Sequence, residues 1–91
     1  MSKEEFIDFL KRKAEERSGS THWAKTASNT DDYWHLYKPG VDWLEDDMDL
    51  QEDGVVKITY DKTLGIGDDT SQEFKTTYDD FVTNYDKTVR R

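Results

Sequence analysis

Two periods share this chain. Near its start Phe6, Ile7, Leu10 and Ala14 recur at the spacing of one helical face, while Lys11, Arg12, Glu15 and Glu16 turn outward. Ser2 with Glu5 three residues on is a capping box, and Ser18-Gly19 ends the pattern, so an amphipathic N-terminal helix is expected. A second stripe, Tyr78, Phe81, Val82, Tyr85 and Val89, follows Thr77 as N-cap. Asp79 and Asp80 in its first turn and Lys87, Arg90 and Arg91 in its last complement the helix dipole, which predicts one C-terminal helix.

Between these helices the period drops to two. Val55-Val56-Lys57-Ile58-Thr59-Tyr60 is β-branched and aromatic, Asp61-Lys62 turns into Thr63-Leu64-Gly65-Ile66, and Gly67-Asp68-Asp69 turns into a strand through Gln72, Phe74 and Thr76. That reading is a three-stranded meander. Upstream, Thr21 to Thr26 and Tyr33 to Tyr37 form two further strand candidates joined across Asn29-Thr30-Asp31-Asp32, the second ended by Pro39-Gly40. Residues 41–50 read either as a short helix, with Val41, Leu44 and Met48 on one side, or as an irregular loop. The expected class is α+β: an N-terminal helix, an antiparallel sheet of three to five strands and a C-terminal helix, in one domain spanning residues 1–91.

Composition changes this picture only in part. Of the 91 residues 37% are charged and 33% hydrophobic, which leans toward disorder, but three Trp, five Tyr and four Phe supply the apolar area a core requires. The absence of cysteine excludes disulfides and thiolate zinc sites. Met1-Ser2-Lys3-Glu4-Glu5 leads into an amphipathic segment rather than a signal-peptide apolar region, and no apolar run approaches the roughly 18 to 20 residues of a membrane span. A soluble, cytoplasmic protein is therefore expected.

Charge adds more, because it is unevenly placed. Residues 1–30 carry six Lys/Arg against five acids, residues 31–86 carry sixteen acids against four Lys, and Lys87, Arg90 and Arg91 follow, for a net charge of −8. An excess of −12 over the central residues opposes compaction and draws basic partners, while disfavouring direct binding to nucleic acid or an anionic membrane. Crowded carboxylates also imply raised pKa values, so stability is expected to rise as pH falls from about 7 toward about 5.

Specific chemistry is harder to find. The segment WLEDDMDLQEDG, residues 43–54, holds six carboxylates; as a calcium loop begun at Asp47 it offers Asp47, Asp49 and Gln51 but has Glu52 where glycine belongs and Ile58 where glutamate belongs. His22 and His35 each neighbour a tryptophan and form no ligand or triad spacing. Gly65-x-Gly67 lacks the third glycine of a dinucleotide loop, and Asp68-Asp69 would repel phosphate. No metal, cofactor or catalytic residue is assigned, and the protein is not expected to be an enzyme.

The small size, the cysteine-free composition and the acidic centre threaded with Trp34, Trp43, Tyr60, Phe74 and other aromatics resemble the small acidic proteins that bacteriophages make against host nucleases, including DNA-mimic anti-restriction and anti-CRISPR proteins. The resemblance is one of format and composition across the whole chain. It implies an inhibitor in the host cytoplasm that occupies the DNA-binding groove of a nuclease or other basic DNA-binding protein. The charges suggest a docking face of Glu45, Asp46, Asp47, Asp49, Glu52 and Asp53, extended by Asp61, Asp68 and Asp69, with Trp43 as its buried anchor. The alternative is an acidic protein-interaction module without DNA mimicry. A homodimer with an aromatic interface is expected to lengthen the negative face.

Overall fold

The computed structural model of the chain describes residues 1–25, 31–40, 46–50, 54–60 and 72–89. Its elements run α1 (Lys3–Glu16), β1 (His22–Lys25), β2 (Tyr33–Tyr37), β3 (Asp47–Leu50), β4 (Val55–Tyr60), β5 (Gln72–Thr77), α2 (Tyr78–Thr83) and α3 (Tyr85–Thr88). The strands form one antiparallel sheet in chain order, β1-β2-β3-β4-β5, which is the α+β arrangement read from the sequence at the upper end of its strand range.

Local chemistry sets the helix ends. Ser2 Oγ accepts from the Glu5 backbone N–H at 3.1 Å while Glu5 Oε1 accepts from the Ser2 N–H at 3.1 Å, closing the capping box that starts α1. Past its end Gly19 takes φ of 87°, a left-handed conformation that other residues adopt at a cost. Thr77 is extended, and its Oγ1 accepts from Asp80 N–H at 3.1 Å to start α2. The expected single C-terminal helix is instead broken at Asn84. There the Asn84 side-chain amide donates to the Asp80 carbonyl at 2.9 Å, beside its own backbone N–H at 3.0 Å, and the Thr83 and Thr88 hydroxyls donate to carbonyls of the preceding turn. Such side-chain competition for main-chain acceptors interrupts regular helix. The apolar stripe survives the break, with Tyr78, Phe81, Tyr85 and Val89 all buried.

Two strand expectations need correction. Residues 47–50 form β3 rather than a short helix or an irregular loop, because Asp-Met-Asp-Leu alternates: Met48 and Leu50 are buried opposite Ile58 and Val56, and this period of two overrides the Leu44 to Met48 helical spacing. In the C-terminal half, β4 pairs directly with β5, from Val55 opposite Thr77 to Tyr60 opposite Gln72. No middle strand separates them, and residues 63–66 lie outside the described residues. The β1–β2 hairpin stands as expected, His22 opposite Tyr37 through Lys25 opposite Trp34.

All three helices pack on one side of the sheet. Trp23, Trp34, Leu36, Met48, Leu50, Val56 and Ile58 share the inward face by register and meet Phe6, Leu10, Tyr78, Phe81, Tyr85 and Val89 from the helices. Phe6 stacks on Tyr78 with ring centroids 4.5 Å apart and meets Phe81 edge-on at 5.4 Å; Phe81 also meets Trp23 and Tyr85, each at 6.0 Å. The two buried indoles keep their polar atoms satisfied, Trp23 Nε1 donating to Thr88 Oγ1 at 3.0 Å and Trp34 Nε1 to the Asp31 carbonyl at 2.8 Å. With the helices gathered on this side, every described residue on the opposite face of the sheet remains at least partly exposed.

Candidate partner-binding site

The outward face is a grid fixed by register. One row runs Ala24, His35, Asp47, Thr59, Glu73; the next runs Tyr33, Asp49, Lys57, Lys75; Tyr37 lies opposite His22 at the β1–β2 end. Leu36 N–H donates to the Asp46 carbonyl and Leu50 N–H to the Asp32 carbonyl, both at 2.9 Å, so the hydrogen-bonded pairs of β2 and β3 fall on inward-facing residues. His35 with Asp47, and Tyr33 with Asp49, are then non-hydrogen-bonded pairs, the class in which side chains approach most closely. Tyr33 and Tyr37 are 52% and 44% exposed, among the largest exposed apolar side chains described. The His22 and Tyr37 rings lie 5.2 Å apart.

Of the residues assigned from charge, Asp47 is exposed and Asp49 half-buried, both on this face. Asp46 must be removed from it. At 2% exposure it belongs to the inward parity of β3, in step with Met48 and Leu50, and no partner can reach its carboxylate on the surface. Trp43, Glu45, Glu52, Asp53, Asp61, Asp68 and Asp69 lie outside the described residues. The tyrosines were missed, although Tyr-Trp-His-Leu-Tyr carries the signal: with Trp34 and Leu36 turned inward, alternation sends Tyr33, His35 and Tyr37 outward.

Part of the acidic excess is neutralised within the fold. Lys3 Nζ lies 2.6 Å from Asp32 Oδ1, Lys25 Nζ 2.7 Å from Asp31 Oδ1, and Lys11 Nζ 3.8 Å from Asp31 Oδ2, which ties α1 and β1 to the start of β2. Among the described residues the partner of Asp31 Oδ1 is the Lys25 ammonium. The Lys25 ammonium is the main reason that the Asp31 carboxyl titrates below its ordinary value. Glu5 is likewise lowered, chiefly by the Ser2 backbone N–H it accepts from, whereas burial raises the Tyr85 phenol.

Glu5 lies outside the acidic centre and Asp31 is paired with lysine, so their lowered values follow from local partners. A folded-state pKa below the unfolded one contributes stability that is present above the unfolded value, near pH 4, and lost as pH falls through the folded value. Melting temperature should therefore fall on acidification below about pH 4, and Asp31→Asn should flatten that part of the curve. An Asp31→Asn profile as steep as the wild type would show that the Lys25 contact contributes nothing. The effect should shrink in high salt, since the pair is solvent-exposed.

Two concavities accompany these features. A cleft of about 270 Å³ lies between β4–β5 and α2–α3, with Ile58, Phe74, Thr76 and Phe81 as its apolar lining. A more open groove of about 430 Å³ follows the charged face of α1, along Glu5, Asp8, Arg12 and Glu15. Among the described residues neither is lined by histidine, and no three His, Asp or Glu side chains come together as a metal-binding group. No helix among them is long and apolar enough to cross a membrane. Comparison with protein-family models, with curated proteins and with solved structures found no match.

Proposed function

We propose that this is a non-catalytic, acidic binding protein that docks on the basic groove of a DNA-binding protein and excludes nucleic acid, in the manner of a DNA mimic. The observation that carries the reading is the presence of exposed Tyr33 and Tyr37 with Asp47 and Asp49, Tyr33 directly opposite Asp49, on a sheet face that no described helix covers. Carboxylates two residues apart on a strand stand roughly 6.8 Å from one another, an axial density about half that of one DNA strand, so charge alone gives long-range attraction and weak affinity. Aromatic side chains beside the charges supply the desolvated contacts that hold a partner. The net charge of −8 aids approach to a basic groove.

Lys57 and Lys75 stand on the same face, and this favours a second reading, an acidic protein-interaction module without mimicry. The two separate in one experiment. Immobilised wild-type protein is used to retain a partner from a bacterial lysate, and competition between this protein and duplex DNA for that partner is measured at low and moderate salt. Mimicry predicts competition that weakens steeply with salt; a module predicts binding that DNA does not displace. Tyr33→Ala with Tyr37→Ala, and Asp47→Lys with Asp49→Lys, should each weaken binding at least about tenfold, while Glu15→Lys with Glu16→Lys on α1 should be nearly silent. Equal loss from both acidic pairs, or none from the first, would end the assignment of this face.

A further inference from the structure

We propose that the outer edge of β5 is a self-pairing edge: a second copy of this chain adds antiparallel across a two-fold axis at Phe74, joining the two five-stranded sheets. The inference does not rest on the partner-binding reading, since it uses the backbone edge of β5 and not the tyrosines and carboxylates of β2 and β3. Tyr78 N–H donates to the Gly54 carbonyl at 2.9 Å, and in an antiparallel ladder bonded pairs alternate. Continuing the register, Val56 with Thr76 and Ile58 with Phe74 are the bonded pairs of β4 and β5, so Glu73, Lys75 and Thr77 direct their backbone N–H and C=O groups away from β4. Among the described residues no strand receives them. An edge of this kind templates the addition of another strand.

The side chains select both the occupant and the register. Glu73 and Lys75 are exposed on the outward face, neither forms an ion pair among the described residues, and Lys75 stands directly opposite Lys57, a like-charge pairing that disfavours the sheet as it is. With Phe74 opposite Phe74, Glu73 of each copy falls opposite Lys75 of the other, giving two symmetric ion pairs at the positions whose backbones also bond across the junction. An axis at Glu73 would set acid against acid, and one at Lys75 base against base. Charge therefore specifies the Phe74 axis. On the inward face Phe74 is 42% exposed at the lip of the cleft formed with Ile58, Thr76 and Phe81. Its pair across the axis is non-hydrogen-bonded, the closer class, so the two rings cover one another and the mouths of both clefts. One strand pair forms a small interface, which makes the association weak and concentration-dependent.

Sedimentation equilibrium of the full chain should show a monomer–dimer equilibrium with Kd on the order of 10–100 µM. Glu73→Lys and Lys75→Glu should each weaken the dimer about tenfold or more, the double variant should restore it, and a mixture of the two single variants should associate as a heterodimer. Circular dichroism of each variant separates lost pairing from lost folding. Amide exchange should slow at Glu73 and Lys75 with rising concentration of the chain. A monomer at about 1 mM, or a double variant no better than the singles, would overturn the proposal. Protection of those amides that appears only when another protein is added would place a foreign strand on this edge and overturn it equally.

Discussion

Phe81→Ala is expected to lower the free energy of unfolding by about 3–5 kcal/mol, the range for removing a buried aromatic ring. For a chain of 91 residues total stability is roughly 5–14 kcal/mol, so the loss is a large share of it. Phe81 is 1% exposed and is the residue at which three aromatic contacts meet, with Phe6 from α1, Trp23 from β1 and Tyr85 from α3. Truncation would leave a cavity bounded by rings that cannot collapse without moving two helices and the sheet. Urea unfolding followed by tryptophan fluorescence checks this directly, since the Trp23 ring is 6.0 Å away. The midpoint should fall with little change in slope, and Phe81→Leu should lose much less. An unchanged midpoint for Phe81→Ala would contradict the core described here.

Trp23→Ala should cost a similar amount, about 3–5 kcal/mol, but for a reason that divides into two parts. The indole is fully buried, and its Nε1 donates to Thr88 Oγ1, a hydroxyl that itself donates to the Tyr85 carbonyl at 2.7 Å. Trp23→Phe keeps most of the apolar volume and removes the donor, and Thr88→Val removes the acceptor. A cycle built from these two should show a coupling of about 1 kcal/mol, the net worth of one hydrogen bond. A coupling near zero would assign the whole effect of Trp23 to volume.

The class of fold was legible because the strongest patterns lay where tertiary contacts agree with local preference. Ser2 with Glu5, Thr77 with Asp80, and the stripe from Tyr78 to Val89 all serve the roles their spacing implies. What the pattern obscured was competition. Leu44 and Met48 share a helical spacing, but Met48 and Leu50 also share a strand face, and pairing with β2 and β4 decides between them. The break at Asn84 depends on a side-chain amide reaching a carbonyl one turn back, which periodicity does not register. The site was the least legible part. A count of carboxylates treats Asp46 and Asp47 alike, yet one faces the core and the other solvent, and the placing of Tyr33 opposite Asp49 becomes visible only once β2 and β3 are aligned.

Each strand hydrogen-bonds to the next in sequence, so the sheet can assemble from short loop closures, one hairpin at a time. The Phe6–Tyr78 stack is different in kind, for it joins α1 to α2 across nearly the whole chain, and the N-terminal ammonium lies 3.5 Å from Asp79 at the same junction. Contacts of such long sequence separation carry a large closure entropy and gain their partners only after the C-terminal segment is in place. Native-state amide exchange is therefore expected to show α1 opening as a unit while the five strands stay paired, exposing Phe6, Tyr78 and Phe81 together, with the slowest exchange in the central strands; equal protection of α1 and β3 would count against this.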